Sequence, residues 1–246
     1  MDWDILEGRN PVYEALSRRR RRVDCVWLDD RARVGPKIAR ILELCEEQGV
    51  VVERVPRSVL DKKARGDVHN GVMARAQPHP HYTVASRLDA LFSEGTDPFF
   101  ILADEVVYEQ NLGAILRSAM GAGVNGLVIP VRRGKGVTPV VSRVAMGGAE
   151  EVPVIREGIS SALKRLNRAG VRVVGADMDG TPFWDVDLTG PLAIVLGGES
   201  KGLTSTVRQR CDSVVQVPLQ NELDSLNVSV TAGVLLFERV RQLGTV

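Results

Sequence analysis

The 246-residue chain is long enough for one large domain or two modest ones, and either can bury a substantial core. Hydrophobic residues at 44%, charged residues at 26% and a formal net charge of +1 are ordinary for a globular protein in water and give the whole chain no polyanion-seeking character. Three scattered cysteines exclude a disulfide framework or a zinc spacing, no apolar run reaches bilayer length, and Met1-Asp2-Trp3-Asp4 puts acids where a signal peptide carries bases; a soluble, cytoplasmic protein without metal is expected.

Asn10-Pro11 reads as a helix start, with an Asn cap and Pro at the first helical position. The five arginines Arg18, Arg19, Arg20, Arg21 and Arg22 that come after it read equally as a local RNA-binding patch or as a solvated helix end, where cations suit the macrodipole. A strand over 23–28, a helix over 36–47, a strand over 50–55, a helix over 58–64 and a strand over 71–74 complete a small α/β domain, 1–75. Gln77-Pro78-His79-Pro80-His81 cannot continue a helix, so 76–97 reads as a linker carrying one short helix, 87–92.

The second domain, 98–246, opens on the buried-strand run at 99–103. Then come a helix over 112–122, a strand over 126–131, helices over 139–146 and 159–168 and a strand over 171–176. A strand over 192–196, a helix over 204–209, a strand over 214–217 and a helix over 228–242 close it. Near-continuous apolar strands between helices indicate a mostly parallel sheet covered on both faces.

Three segments of this domain carry chemical signals. In Asn111-Leu112-Gly113-Ala114-Ile115-Leu116-Arg117 the Asn reads as a helix cap. Gly113, Arg117 and Gly121 share a face; by itself this reads as a surface Arg flanked by tolerated glycines, and otherwise as a bareness that suits close approach by a ligand or another backbone. Gly197-Gly198-Glu199-Ser200-Lys201-Gly202-Leu203 leaves a strand with flexible backbone, where α/β proteins bind ligands, yet fits neither the phosphate-loop nor the dinucleotide spacing. Ser225-Leu226-Asn227-Val228-Ser229 precedes the last helix, and its Ser and Asn also suit plain capping. His69, His79 and His81 all precede this domain, which argues against a Ser-His-Asp hydrolase or a catalytic zinc in it.

In this order and spacing the three segments resemble motifs one to three of the SpoU (TrmH) branch of the SPOUT RNA methyltransferases. The stretch Ala145-Met146-Gly147-Gly148-Ala149-Glu150-Glu151-Val152-Pro153 matches the family's small-residue segment. Leu6-Glu7-Gly8-Arg9-Asn10-Pro11-Val12 and His69-Asn70-Gly71-Val72 resemble the RNA-binding accessory domain of its ribosomal members, a fold similar to ribosomal proteins. The resemblance implies methyl transfer from S-adenosylmethionine to a ribose 2′-hydroxyl of RNA, a deep trefoil knot in the catalytic domain, and a homodimer through the knotted region. It puts Asn111, Arg117, Glu199, Ser225 and Asn227 at the catalytic positions. Leu196, Gly197, Gly198, Val217, Pro218, Leu219, Leu226, Asn227 and Val228 fall on the cofactor loops, where backbone amides would read the adenine and the carboxylate. Arg9, His69 and Asn70 join residues 18–22 as RNA-binding candidates.

One departure stands out: Tyr108-Glu109-Gln110 occupies the place of the family's Asp-Pro-His-like triplet, which bears on RNA positioning. The accessory domain favours rRNA over tRNA, and by analogy a guanosine of large-subunit rRNA. The competing readings are a tRNA enzyme, an antibiotic-resistance rRNA methyltransferase, and a non-catalytic RNA-binding assembly factor. Arg117 is the family's proposed general base, but a guanidinium holds its proton too tightly for that role; stabilising the developing alkoxide is the cheaper one.

Overall fold

A computed structural model describes residues 3–65, 68–131, 136–198, 202–221 and 224–244. The elements run β1 (Asp4–Glu7), α1 (Arg9–Arg18), β2 (Val23–Asp29), α2 (Pro36–Gln48), β3 (Val51–Val55), α3 (Arg57–Lys63), β4 (Val72–Ala76) and α4 (Val84–Ser93). Next come β5 (Phe99–Ala103), α5 (Glu109–Gly121), β6 (Gly126–Ile129), α6 (Pro139–Ala145), α7 (Gly148–Glu151), β7 (Val154–Arg156) and α8 (Ile159–Arg168). The chain finishes with β8 (Arg172–Pro182), β9 (Leu192–Leu196), α9 (Ser205–Arg208), β10 (Ser213–Gln216) and α10 (Val228–Leu243). They form two compact units, Met1–Pro80 with Val137–Glu151, and His81–Gly136 with Val152–Val246.

The first unit holds a sheet of order β1-β4-β2-β3, with β2 parallel to β3 and antiparallel to β4. Strand alternation sorts its core: Val26 and Leu28 pack with Leu16 of α1 and Ile38 and Ile41 of α2, while Cys25 and Trp27 meet Leu60 of α3 on the other face. A register shift between Val23 and Cys25 breaks the alternation, so Val23 joins the first cluster. The short edge strand β1 is not expected from the sequence.

The start of α1 also differs from expectation. Gly8, not Asn10, is the N-cap; its φ of 106° is open only to glycine, and its amide donates to Val72 O at 2.9 Å. Asn10 is therefore helical. At the other end Arg18 closes the helix and Arg19 caps it in the left-handed region.

In the second unit the strands lie parallel in the order β10-β8-β9-β5-β6-β7. Phe100 and Leu102 of β5 pack under α4 and α8 through Leu88, Leu91, Leu163 and Leu166. The alternate residues Ile101 and Ala103 point to the opposite face. Helices α5 and α10 pack together. Gly121 is kept bare by protein rather than by a ligand, since a Cβ there would stand 3.3 Å from the Phe237 ring of α10. Gly113 is buried as well.

Two element boundaries shape the site. Helix α5 begins a turn earlier than expected, with Tyr108 as N-cap, so Asn111 is a first-turn residue and not the cap. Strand β8 runs on to Pro182, and its pairing with β10 jumps from Gly175↔Val214 to Thr181↔Val215. The intervening residues bow out of the ladder, and Gly180 crosses the β10 backbone so closely that a Cβ would lie 2.5 Å from the Val215 carbonyl carbon. Among the described residues no helix is long and apolar enough to cross a membrane, and no three His, Cys, Asp or Glu side chains gather as metal ligands.

Candidate active site

Three parallel neighbours, β8, β9 and β10, deliver their carboxyl ends to one cavity of about 460 Å³. The crevice beyond such strand ends is where open parallel sheets bind ligands. Its walls are largely apolar, from Leu196, Val215, Val217, Leu219, Leu226, Val228 and Leu235, with Asp177, Asp224, Ser225 and Thr231 supplying polar groups. A volume in the range of small-molecule sites, with apolar walls and few polar groups, suits a nucleoside-sized ligand.

The two described ends of the glycine segment are fixed by backbone contacts. Gly198 and Gly202 exchange backbone hydrogen bonds of 3.1 and 3.0 Å, closing a single antiparallel rung. A Cβ on Gly197 would stand 2.4 Å from the Gly202 carbonyl carbon, so backbone lies on backbone there. Gly202 has φ +60°, and a Cβ on it would come 2.7 Å from Asp177 Oδ1. Both glycines are thus required by close approach.

Asp177 sits in the bowed part of β8 and is held from several sides. Its Oδ1 accepts from Met178 N at 2.8 Å, and its Oδ2 accepts from Leu203 N at 3.3 Å and Arg208 Nη1 at 3.1 Å. Arg208 also reaches Asp179 Oδ1 at 2.7 Å, and that hydrogen bond holds the Asp179 carboxyl below its usual pKa. No local motif marks Asp177; the available signal was an acid in a strand destined to lie beside β9.

The motif residues come together in part. Asn227 caps α10: its Oδ1 accepts from Ser229 N at 2.8 Å and Ser229 Oγ at 2.7 Å, which leaves its Nδ2 to donate to Asn111 Oδ1 at 3.1 Å. Two residues 116 apart in sequence are joined, each amide orientation set by the network. Arg117 is exposed on α5, outside the cavity lining, and among the described residues its guanidinium makes no hydrogen bond or ion pair. Ser225 lines the cavity, and Glu199 lies outside the described residues. Of the cofactor candidates, Leu196, Gly197, Gly198, Val217, Leu219, Leu226 and Val228 line the cavity, whereas Pro218 and Asn227 do not. The amides of Leu219 and Leu226 donate to no carbonyl in the described residues. Sequence reasoning missed Ala176, Asp177, Met178, Val215, Asp224 and Thr231.

Burial pushes the thiols of Cys25, Cys45 and Cys211 up to about 11, so none is a nucleophile near neutral pH.

In the first unit the arginine run is mostly engaged within the protein. Arg21 is 2% exposed; its Nε and Nη2 bind Glu150 at 3.0 and 2.5 Å, and its Nη1 binds Asp4 at 2.7 Å and Gln77 O at 3.0 Å. Arg18 pairs with Glu14 and Glu151, Arg20 with Glu151, and Arg19 with Glu47. Arg22 is exposed. His69 is buried; its Nδ1 accepts from Gly71 N at 3.1 Å, so its Nε2 carries the proton and donates to Asp61 at 2.8 Å. Arg9 Nε donates to Asn70 O at 3.2 Å.

Residues 98–237 match the SpoU rRNA methylase family, and residues 5–82 match the RNA 2′-O-ribose methyltransferase substrate-binding family. A 23S rRNA (guanosine-2′-O-)-methyltransferase, RlmB of Shewanella oneidensis, is 36% identical over 97% of this chain and 97% of its own. RlmB of Escherichia coli is 34% identical over 97% and 98%. In fold the chain resembles an S-adenosylmethionine-bound rRNA methyltransferase of Sinorhizobium meliloti, with a TM-score of 0.79 at 22% identity over 98% of this chain and 88% of that one. With both units matched and more than half the chain covered by the methylase family, the protein belongs to the SpoU family of RNA methyltransferases.

Proposed function

We propose that this protein transfers a methyl group from S-adenosylmethionine to the ribose 2′-hydroxyl of a guanosine in large-subunit rRNA, in the cytoplasm. The observation that carries the reading is the cavity at the ends of β8, β9 and β10, flanked by the Asn227–Asn111 bond. The residues present fit the cofactor: apolar walls suit an adenine ring, the glycine rung lets backbone approach closely, and the Leu219 and Leu226 amides are available as donors. When bound, S-adenosylmethionine supplies a methyl group on a sulfonium, which is already a good leaving group.

The protein's remaining task is the hydroxyl. In-line approach of two held reactants supplies ~7–11 kcal/mol of barrier reduction in favourable cases. Asn111, its oxygen fixed by Asn227, would orient the ribose hydroxyl. Arg117, with no protein partner among the described residues, would stabilise the oxygen as its proton passes to solvent water and it bonds to the methyl carbon, with the sulfur leaving as a neutral thioether. Glu199, Ser225 and Asn227 would together position the ribose and order the loops. The same reading includes the deep trefoil knot of the loops at 196–203, 217–219 and 226–228. It also includes a homodimer through this region, which the exposed Val230 and Phe237 of α10 favour.

Transfer of labelled methyl to protein-free large-subunit rRNA, small-subunit rRNA and bulk tRNA tests the proposal. Label in alkali-resistant dinucleotides of the large-subunit RNA alone is expected, and Arg117→Ala abolishes it. Label confined to tRNA, or absent everywhere, overturns it.

A further inference from the structure

The arginine run that draws the eye in the sequence is largely neutralised inside the first unit, yet three basic residues scattered along the chain converge there. Arg9 at the start of α1, Lys37 at the start of α2 and Arg143 in the last turn of α6 line one cavity of about 480 Å³, together with Asn10 and Asn70. Among the described residues no carboxylate lines it. Among the described residues the Arg143 guanidinium makes no hydrogen bond or ion pair, and the Lys37 ammonium only lies over the Tyr13 ring at 3.9 Å. Arg9 uses Nε on Asn70 O and keeps its terminal nitrogens. Elsewhere in this unit Arg18, Arg19, Arg20 and Arg40 are paired with acids. Three like charges facing one space repel each other, and a multivalent anion relieves the repulsion while accepting from several donors at once. The amides of Arg9 and Asn10, in the first turn of α1, add donors with no acceptor inside the helix.

We propose that this cavity seats a backbone phosphate of the RNA substrate, with Lys37 and Arg143 as its principal cations. A phosphate contact sets the register of the RNA on the protein without reading its sequence. The inference rests on the RNA methyltransferase reading and extends it to two residues that no motif marks.

The test compares the full-length wild-type chain with a Lys37→Gln/Arg143→Gln variant, using transcribed large-subunit rRNA and measuring Kd across a salt series. A Lys164→Gln/Arg168→Gln variant removes the same charge from exposed positions of α8. The cavity variant is expected to bind about tenfold more weakly, with the slope of log Kd against log salt reduced by about 1 and KM for RNA raised by the same factor. The α8 variant stays near wild type. Lys37→Arg/Arg143→Lys, which keeps both charges, restores binding, and matched thermal midpoints exclude misfolding as the cause. Equal losses in the two charge-removing variants, or none in either, overturn the phosphate seat while wild-type methylation leaves the functional reading standing. A wild-type chain that neither binds nor methylates rRNA overturns both.

Discussion

Glu150→Gln removes a charge and almost no volume, and so isolates the worth of the buried Arg21–Glu150 pair. Both side chains are 2% exposed and meet through two hydrogen bonds. Stripping one partner from such a pair costs ~3–5 kcal/mol, because the remaining ion keeps its desolvation penalty and loses its compensation. Here Asp4, itself 45% exposed, and the Gln77 carbonyl still hold Arg21, which places the loss near the low end, about 3 kcal/mol. With a urea slope of ~1.5 kcal/mol per molar, the midpoint of the first unit falls by about 2 M. Trp3 and the buried Trp27, which donates to Glu53 at 2.9 Å, lie in this unit, so fluorescence in a Trp184→Phe background reports on it alone. Arg21→Met combined with Glu150→Leu should recover most of the loss, since an apolar pair of similar volume has no ion to desolvate. A midpoint shift below about 0.5 M for Glu150→Gln, or a double variant no better than the single one, would refute the reasoning.

His79, pushed down to about 4 chiefly by burial and then by the Arg21 charge, binds its proton more weakly folded than at its unfolded value of 6.5. Its contribution is therefore complete above pH 6.5 and is lost as pH falls towards 4, by about 3 kcal/mol; the urea-midpoint difference between wild type and His79→Gln should be constant above pH 6.5 and move against the wild type between pH 6.5 and 4, and a difference that does not change with pH would exclude the assignment. Gly202→Ala forces a Cβ against the Asp177 carboxylate at a φ of +60°, so S-adenosylmethionine affinity by calorimetry should drop at least tenfold, on the order of 1.4 kcal/mol; undiminished affinity would separate the glycine rung from the cofactor site. Arg117→Lys should fold, bind cofactor and lose most turnover, whereas a near wild-type rate would remove Arg117 from the chemistry.

Where burial is decided locally, the sequence is informative to the residue. The apolar stripe of α8 and the unbroken run of β9 specify Ile159–Arg168 and Leu192–Leu196, because each buries a face set by its own period. Strands β1 and β7 are too short to show a period, and they exist only because a neighbour offers an edge. The same divide runs through the site. Gly197, Gly198, Ser225 and Asn227 belong to motifs, but Asp177 reaches the cavity through a register jump between β8 and β10 that no local pattern encodes. The five arginines look like a binding patch until their partners are known, and Glu150 lies 129 residues beyond Arg21.

That separation governs the order in which the chain can be assembled. The first unit draws residues 137–151 from inside the span matched to the methylase family, so its interior cannot close when its own first eighty residues leave the ribosome. At ~5–20 residues per second, Arg21 waits roughly 6–26 s for its counter-ion to be synthesised. An excised fragment ending near residue 82, the natural cut from family boundaries, would keep the buried guanidinium and leave its carboxylate behind. Each matched family occupies one continuous span of the sequence, but the folding unit that carries the first of them is a split one, assembled only after much of the second has been translated.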